Sequence, residues 1–252
     1  MPDAKGAGDV LHAQFDTFVP LVGGVLVRDL ITPGPNDPDN ADYFFQEDAI
    51  VAELKVLETD RTQDDSIDVK VQAKFAEWQA SGRLPGIAYG APVVPSTALP
   101  QRLQWELQRI HSEPIRRLIK KANTQIKQTK LDLEQPAAKG LLLLINEGDY
   151  SQRPDYLTYA VHQSLLNDFS SIHTVVVMTV TLVVRPSQSA APFRFWIEYR
   201  RDTTNKVGEV FMQRLRGAWA HYLSTQLGIT MPLVEPTNPI DLSTLRYDEP
   251  TQ

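Results

Sequence analysis

Three of the charged residues in the short stretch Asp42–Lys55, DYFFQEDAIVAELK, fall at or inside its two apolar runs, the others forming the polar turn between them. Asp42 opens the first apolar run, and Glu53 and Lys55 fall in the second, VAELKVL. Brought together, two carboxylates and an ammonium could hold a divalent cation and act on a phosphate. Mg2+ takes one or two carboxylates, keeps several waters and completes its shell with substrate phosphate. Asp42 and Glu53 would supply the carboxylates, helped by a backbone carbonyl near Leu54. A protonated Lys55 cannot ligate a cation, but beside one it could orient a water or stabilise charge on a phosphate under attack.

Whether the three meet depends on the register of a hairpin. With Glu47-Asp48 as a two-residue turn, Ala49 pairs with Gln46, Ile50 with Phe45, Val51 with Phe44, Ala52 with Tyr43 and Glu53 with Asp42. Directly opposed residues of an antiparallel pair share a face with Cβ atoms about 5 Å apart. Lys55, two residues beyond Glu53, points the same way. A slip of one residue would break the arrangement. The competing reading is an edge hairpin whose Glu53 and Lys55 face solvent, since acid-x-Lys on a strand also arises by chance. AIVAELKVL is apolar in both phases, however, so the strand reads as central, and a charged pair there needs a reason.

DYFF followed by AELK resembles the motif of the PD-(D/E)XK nuclease superfamily: an acid at the start of one strand, then acid-x-Lys on the next. The resemblance covers roughly residues 38–147. It implies an α/β restriction-endonuclease-like core, a mixed central sheet flanked by helices, with additional strands and a helix in the C-terminal half. It also implies metal binding by Asp42 and Glu53, catalytic support from Lys55, and Mg2+ as cofactor with Mn2+ as substitute. The activity implied is hydrolysis of nucleic-acid phosphodiesters, in first place as a DNA endonuclease. A glutamine on the helix after the acid-x-Lys strand faces the active site in some members; NTQIKQT offers Gln125, with Gln128 second. Pro38-Asp39 makes Asp39 a competitor for the first acid, and Asp9 and Asp16 are candidates for an acid on an N-terminal helix.

The segment PIRRLIKKANTQIKQTK carries Arg116, Arg117, Lys120, Lys121, Lys127 and Lys130 with no acid among them. Its apolar stripe is Ile115, Leu118, Ile119, Ala122, Ile126 and Leu133. A solvated helix face normally mixes both signs. A contact with a phosphate backbone through Arg116, Arg117, Lys120, Lys121 and Lys127 is therefore weighed equally with a lysine-rich surface helix.

Around these residues, helices are expected over Asp68–Ser81 with Gly82 as the stop, over Gln101 to about Glu134 with an interruption near Pro114, over DYLTYAVHQSLLNDF and over VGEVFMQRLRGAWAHYL. The last should be apolar on the side of Val210, Phe211, Leu215, Ala218, Trp219 and Tyr222. KGLLLLINEGDY, SIHTVVVMTVTLVVR and FRFWIEYRR read as strands, the first buried on both faces. Glu147 and Asp149 at its exit more often mark a turn than a ligand site. Residues 1–235 form one nuclease-like domain, and 236–252, rich in Pro, Thr, Asp and Asn, a loosely held tail.

The chain of 252 residues has no cysteine, which excludes disulfides and thiolate metal sites. No run approaches the ~18 apolar residues of a membrane span, and the N-terminus lacks a signal-peptide pattern; a cytoplasmic protein without membrane contact is expected. Five histidines show neither HxxxH nor HExxH spacing, and no GxSxG, GxxxxGK[ST] or GxGxxG occurs. The net charge of −6 weighs against a protein that coats nucleic acid wholesale. It favours the alternative of a catalytically inactive nuclease-like fold serving as a binding or interaction protein. A homodimer is compatible with the sequence.

Overall fold

The computed structural model describes residues 6–32, 34, 39–58, 65–84, 99–150, 152–167, 169–185, 187, 193–200, 204–228 and 241–248. The core is a six-stranded mixed sheet in the order β1-β2-β3-β4-β5-β7, formed by Val25–Leu26, Tyr43–Phe45, Ile50–Leu57, Lys139–Asn146, Thr174–Met178 and Trp196–Arg200. β1, β2 and β3 are antiparallel neighbours; β3, β4 and β5 run parallel; β7 closes the far edge antiparallel to β5. Parallel pairs need a crossover. Helix α3 (Gln101–Asp132) joins β3 to β4, and α4 (Pro154–Asn167) joins β4 to β5.

One face of the sheet, with Phe44, Val51, Leu142, Leu144, Val175 and Val177, packs against α3 and α4. The other, with Tyr43, Phe45, Ile50, Leu54, Leu141 and Val176, packs against α1 (Ala7–Phe18) and α5 (Glu209–Leu227). The strands buried on both sides are thus the ones that read as continuous apolar runs. A third, separate cluster joins α2 (Asp65–Ala80) to the first turns of α3 through Trp78, Leu99, Leu103 and Leu107. This pair of helices forms an arm with its own small core, further tied by Glu106, which accepts from Trp78 Nε1 at 3.0 Å and meets Lys74 and Arg83 at 3.0 and 3.1 Å.

Four features depart from the sequence reading. Helix α3 runs unbroken through Pro114. The run from Ser171 to Arg185 is not one strand: β5 stops at Met178, and Val184–Arg185 (β6) pairs instead with Arg246–Tyr247 (β8). Glu147 causes the break, because its carboxylate accepts from the amides of Val180 and Thr181 and takes those N–H groups out of any ladder. Within the segment read as tail, Leu245 is fully buried and the Tyr247 hydroxyl donates to the Gln152 carbonyl at 3.0 Å. Val210, expected on the apolar side of α5, is exposed.

Candidate metal and phosphate site

The hairpin pairs Tyr43 with Ala52, Phe44 with Val51 and Phe45 with Ile50, the register that sets Asp42 opposite Glu53. The turn is longer than two residues. It spans Gln46 to Ala49, with the Ala49 amide donating to the Gln46 carbonyl at 3.1 Å and Ala49 at φ +50°. The Ala49 carbonyl is taken by the Lys139 amide of β4 at 2.7 Å, so residues 46 and 49 do not close the ladder. Because the loop grows by one residue on each side, the pairing beyond it is unchanged.

β3 lies between β2 and β4, so the solvent-facing edge hairpin is excluded. Glu53 is completely buried, with a side-chain exposure of 0%, and Lys55 shows 15%. Both project to the α3 face with Val51 and Leu57, where Glu53 is flanked on β4 by Leu142. The Lys55 ammonium contacts Glu53 Oε1 directly. Asp42 Oδ2 accepts the Leu54 amide at 2.8 Å, which fixes its carboxyl against β3. The Asp42 and Glu53 carboxyls lie within hydrogen-bonding reach of each other. Glu53 Oε2 nonetheless meets no donor. Two carboxylate oxygens both accept, so they can face each other only with a proton or a cation between them.

The electrostatics follow. Burial first, and Asp42 second, push the Glu53 carboxyl up to about 8. Burial also raises Asp42, against the opposing pull of the Leu54 amide, His12 and Lys55. The pair therefore retains a proton at neutral pH in the absence of a cation, and a divalent ion would take that proton's place. The donor set fits such an ion in chemistry: two hard oxygens, one of them unpartnered. Among the described residues no third His, Cys, Asp or Glu joins them, so waters and substrate oxygens would complete the shell.

The other site candidates separate. Gln125 is buried on α3; its Nε2 donates to the Asn40 carbonyl at 3.1 Å, two residues before Asp42, and its Oε1 has no partner. Thr129, one turn on, takes the Ala41 amide at 2.7 Å, so α3 braces the lead-in to Asp42. Gln128 turns to Asp132 at 2.7 Å. Asp39 is exposed and paired with Lys121 at 3.0 Å, apart from Glu53. On α1, Asp16 is held by Arg28 at 2.7 Å and by the Tyr43 hydroxyl at 3.1 Å, while Asp9 is exposed. Glu147 serves the 180–181 amides, and the Asp149 amide donates to Asn146 Oδ1 at 3.0 Å; both are turn-building roles.

Of the cations, Arg116, Arg117, Lys120, Lys121 and Lys127 are exposed. Arg116 lies over the Phe169 ring and Arg117 pairs with Glu113 at 3.3 Å. Lys130 is different: it is buried, donates to the Ser171 carbonyl at 3.0 Å and is lowered to about 8 by desolvation. One neighbour of the site was not visible in sequence. His12 of α1 acts electrostatically on Asp42, more strongly than Lys55 does. Motif spacing cannot reveal it, because 30 residues separate the two positions and only the docking of α1 brings them together. Two surface cavities, of about 360 and 560 Å³, open elsewhere: one between α4 and residues 241–243, one between α2 and α3. No helix among the described residues is long and apolar enough to cross a membrane. No protein-family model, curated protein or solved structure matches this chain.

Proposed function

We propose that the chain is a metal-dependent phosphodiester hydrolase acting on nucleic acid, a DNA endonuclease in first place, on a restriction-endonuclease-like core. The observation that carries this reading is the buried Asp42–Glu53 pair with an unpartnered carboxylate oxygen and Lys55 against it. A charged trio in the centre of a sheet is costly and contributes little to stability that apolar residues would not, so its presence calls for a function. The element order supports the same reading: two antiparallel strands, a helix and a parallel strand are what the family resemblance implies.

Asp42 and Glu53 would hold Mg2+ or Mn2+, which supplies Lewis acidity toward a phosphate and a more acidic water. The amide of Leu54 keeps Asp42 aimed at the pair. Lys55, as the only cation in direct contact with either carboxylate among the described residues, is placed to stabilise negative charge on a phosphate. Gln125 steadies the Asn40 carbonyl and leaves one acceptor for a water. Exposed Arg116, Arg117, Lys120, Lys121 and Lys127 on α3 would meet the phosphate backbone. Glu53→Ala and Lys55→Ala are each expected to abolish Mg2+- or Mn2+-dependent cleavage while the circular-dichroism spectrum stays native. Cleavage that persists in both variants would refute the assignment. A nuclease-like fold that only binds is the second reading, favoured by the small number of acidic ligands; absence of Mn2+ affinity in the wild type would select it.

A further inference from the structure

Helix α3 carries more cations than the cluster next to the hairpin, and they are aligned. At ~100° per residue, Arg102, Arg109, Arg116, Lys120 and Lys127 fall within a stripe about 40° wide. All five are exposed, Arg102 at 80%. The stripe lies opposite the buried line of Leu107, Ile115, Ile119, Ala122, Ile126 and Thr129, so it forms the outer ridge of the helix. It runs across the arm as well as the body, about 37 Å for 25 residues at 1.5 Å each. Glu113, at its margin, is engaged by Arg117. Trp105 stands about 40° from the middle of the stripe and is 55% exposed.

We propose that this ridge, from Arg102 on the arm to Lys127, is a binding surface for a single-stranded polynucleotide, with Trp105 as a base-stacking residue. The inference rests on the nucleic-acid reading above and adds the form of the ligand. A straight line of cations suits a flexible strand, which can lie along it; the backbones of a duplex spiral away from a straight ridge within half a turn. Cationic tracks combined with aromatic side chains are the usual means of holding single strands, at about 4–16 nucleotides per site. At the ~3.4 Å rise of a stacked strand the ridge spans roughly 11 nucleotides, fewer when the strand is extended. Arg102 also lies 3.7 Å from Glu106, but five cations in line leave an excess of positive charge along this face of an acidic chain, which suits a polyanion.

The test is binding without cleavage. A fluorescein-labelled 20-nucleotide oligothymidylate is titrated with the full chain in EDTA at several salt concentrations. Five contacts predict a slope of log K against log salt near about −3.5, and Arg102→Gln/Arg109→Gln should reduce it by about 1.4 and weaken binding about tenfold at low salt. Trp105→Ala should weaken binding and remove quenching of tryptophan fluorescence by the oligomer. Both variants alter exposed residues remote from Asp42, Glu53 and Lys55, and thermal melts check their folding. Binding of the deoxyribose or the ribose oligomer supports the proposal. It is overturned by no affinity for either, by affinity unchanged in the double variant, by tighter binding of a 20-base-pair duplex, or by retention on phosphatidylserine vesicles alone. Because EDTA removes the cation, failure here leaves the hydrolase reading standing, and binding by a chain that cleaves nothing would sustain the ridge without it.

Discussion

Replacing Glu53 with glutamine should change how stability depends on pH in a specific direction. Glu53 is pushed from its ordinary 4.5 up to about 8 by burial and by Asp42. In the folded chain the carboxyl therefore keeps a proton that the unfolded chain has already released. An acid raised in this way contributes stability at low pH that declines as pH climbs from 4.5 to about 8 and is flat beyond. The decline is about 1.4 kcal/mol per pH unit where the two states differ by one whole proton, so about 2 kcal/mol disappears between pH 6 and pH 8 from this group alone. Glutamine cannot release a proton, and the pull of Lys55 on the ionised carboxylate is already contained in the raised value of Glu53. The stability difference between Glu53→Gln and wild type should thus move by about 2 kcal/mol in favour of the variant from pH 6 to pH 8. Urea unfolding in EDTA at the two pH values, followed by tryptophan fluorescence, measures it. A difference that is the same at both pH values, or one that moves toward the wild type, would refute the account of the carboxyl pair. Saturating Mn2+ should raise the pH 8 stability of the wild type and leave that of the variant unchanged.

Two further outcomes concern stability alone. Lys130 is lowered to about 8 by desolvation, so stability falls as pH drops from 10.5 to about 8 and is flat below. Lys130→Met should raise stability at pH 7 by about 1–2 kcal/mol after the hydrogen bond to Ser171 is forgone, and urea midpoints at pH 7 and pH 10 should converge for the two proteins. Glu134 follows the end of α3 at φ +56°, with the Gln135 amide donating back to Lys130 at 2.8 Å, a position that suits glycine. Glu134→Gly should stabilise by about 0.5–1 kcal/mol in a thermal melt, and destabilisation would show that the side chain has a role the backbone does not reveal.

The carboxyl pair was legible because side chains alternate strictly along a strand. Phase alone placed Glu53 and Lys55 together and put them on a central strand. The turn takes four residues where two are expected, yet symmetric lengthening preserves the register, so residue 53 keeps its place opposite Asp42. What sequence could not supply is long-range. Nothing in VVVMTVTLVV announces the stop at Met178, because the agent is Glu147 on another segment. Docking of α1 brings His12 toward Asp42, and pairing with β6 orders Arg246–Tyr247; both depend on surfaces formed only after the sheet exists. Lys130 belongs to the same basic run, and its phase on α3 turns it inward. The amphipathic pattern puts Val210 on the inner side of α5, but it stands at the helix start, where one residue of phase decides exposure.

Pro114 gives α3 a mechanical property. Proline has no amide hydrogen, so the carbonyl four residues earlier, at Ile110, loses its helical donor. That turn lies between the arm core around Trp78, Leu99, Leu103 and Leu107 and the body core that begins at Ile115. Helices bend most readily where the ladder is interrupted. The 13 residues from Gln101 to Glu113 make a lever about 20 Å long, and a 10° flexion at its base moves the tip by about 3–4 Å. The distance between Arg102 and Lys127 is thereby an adjustable quantity, set at one point along an otherwise stiff rod.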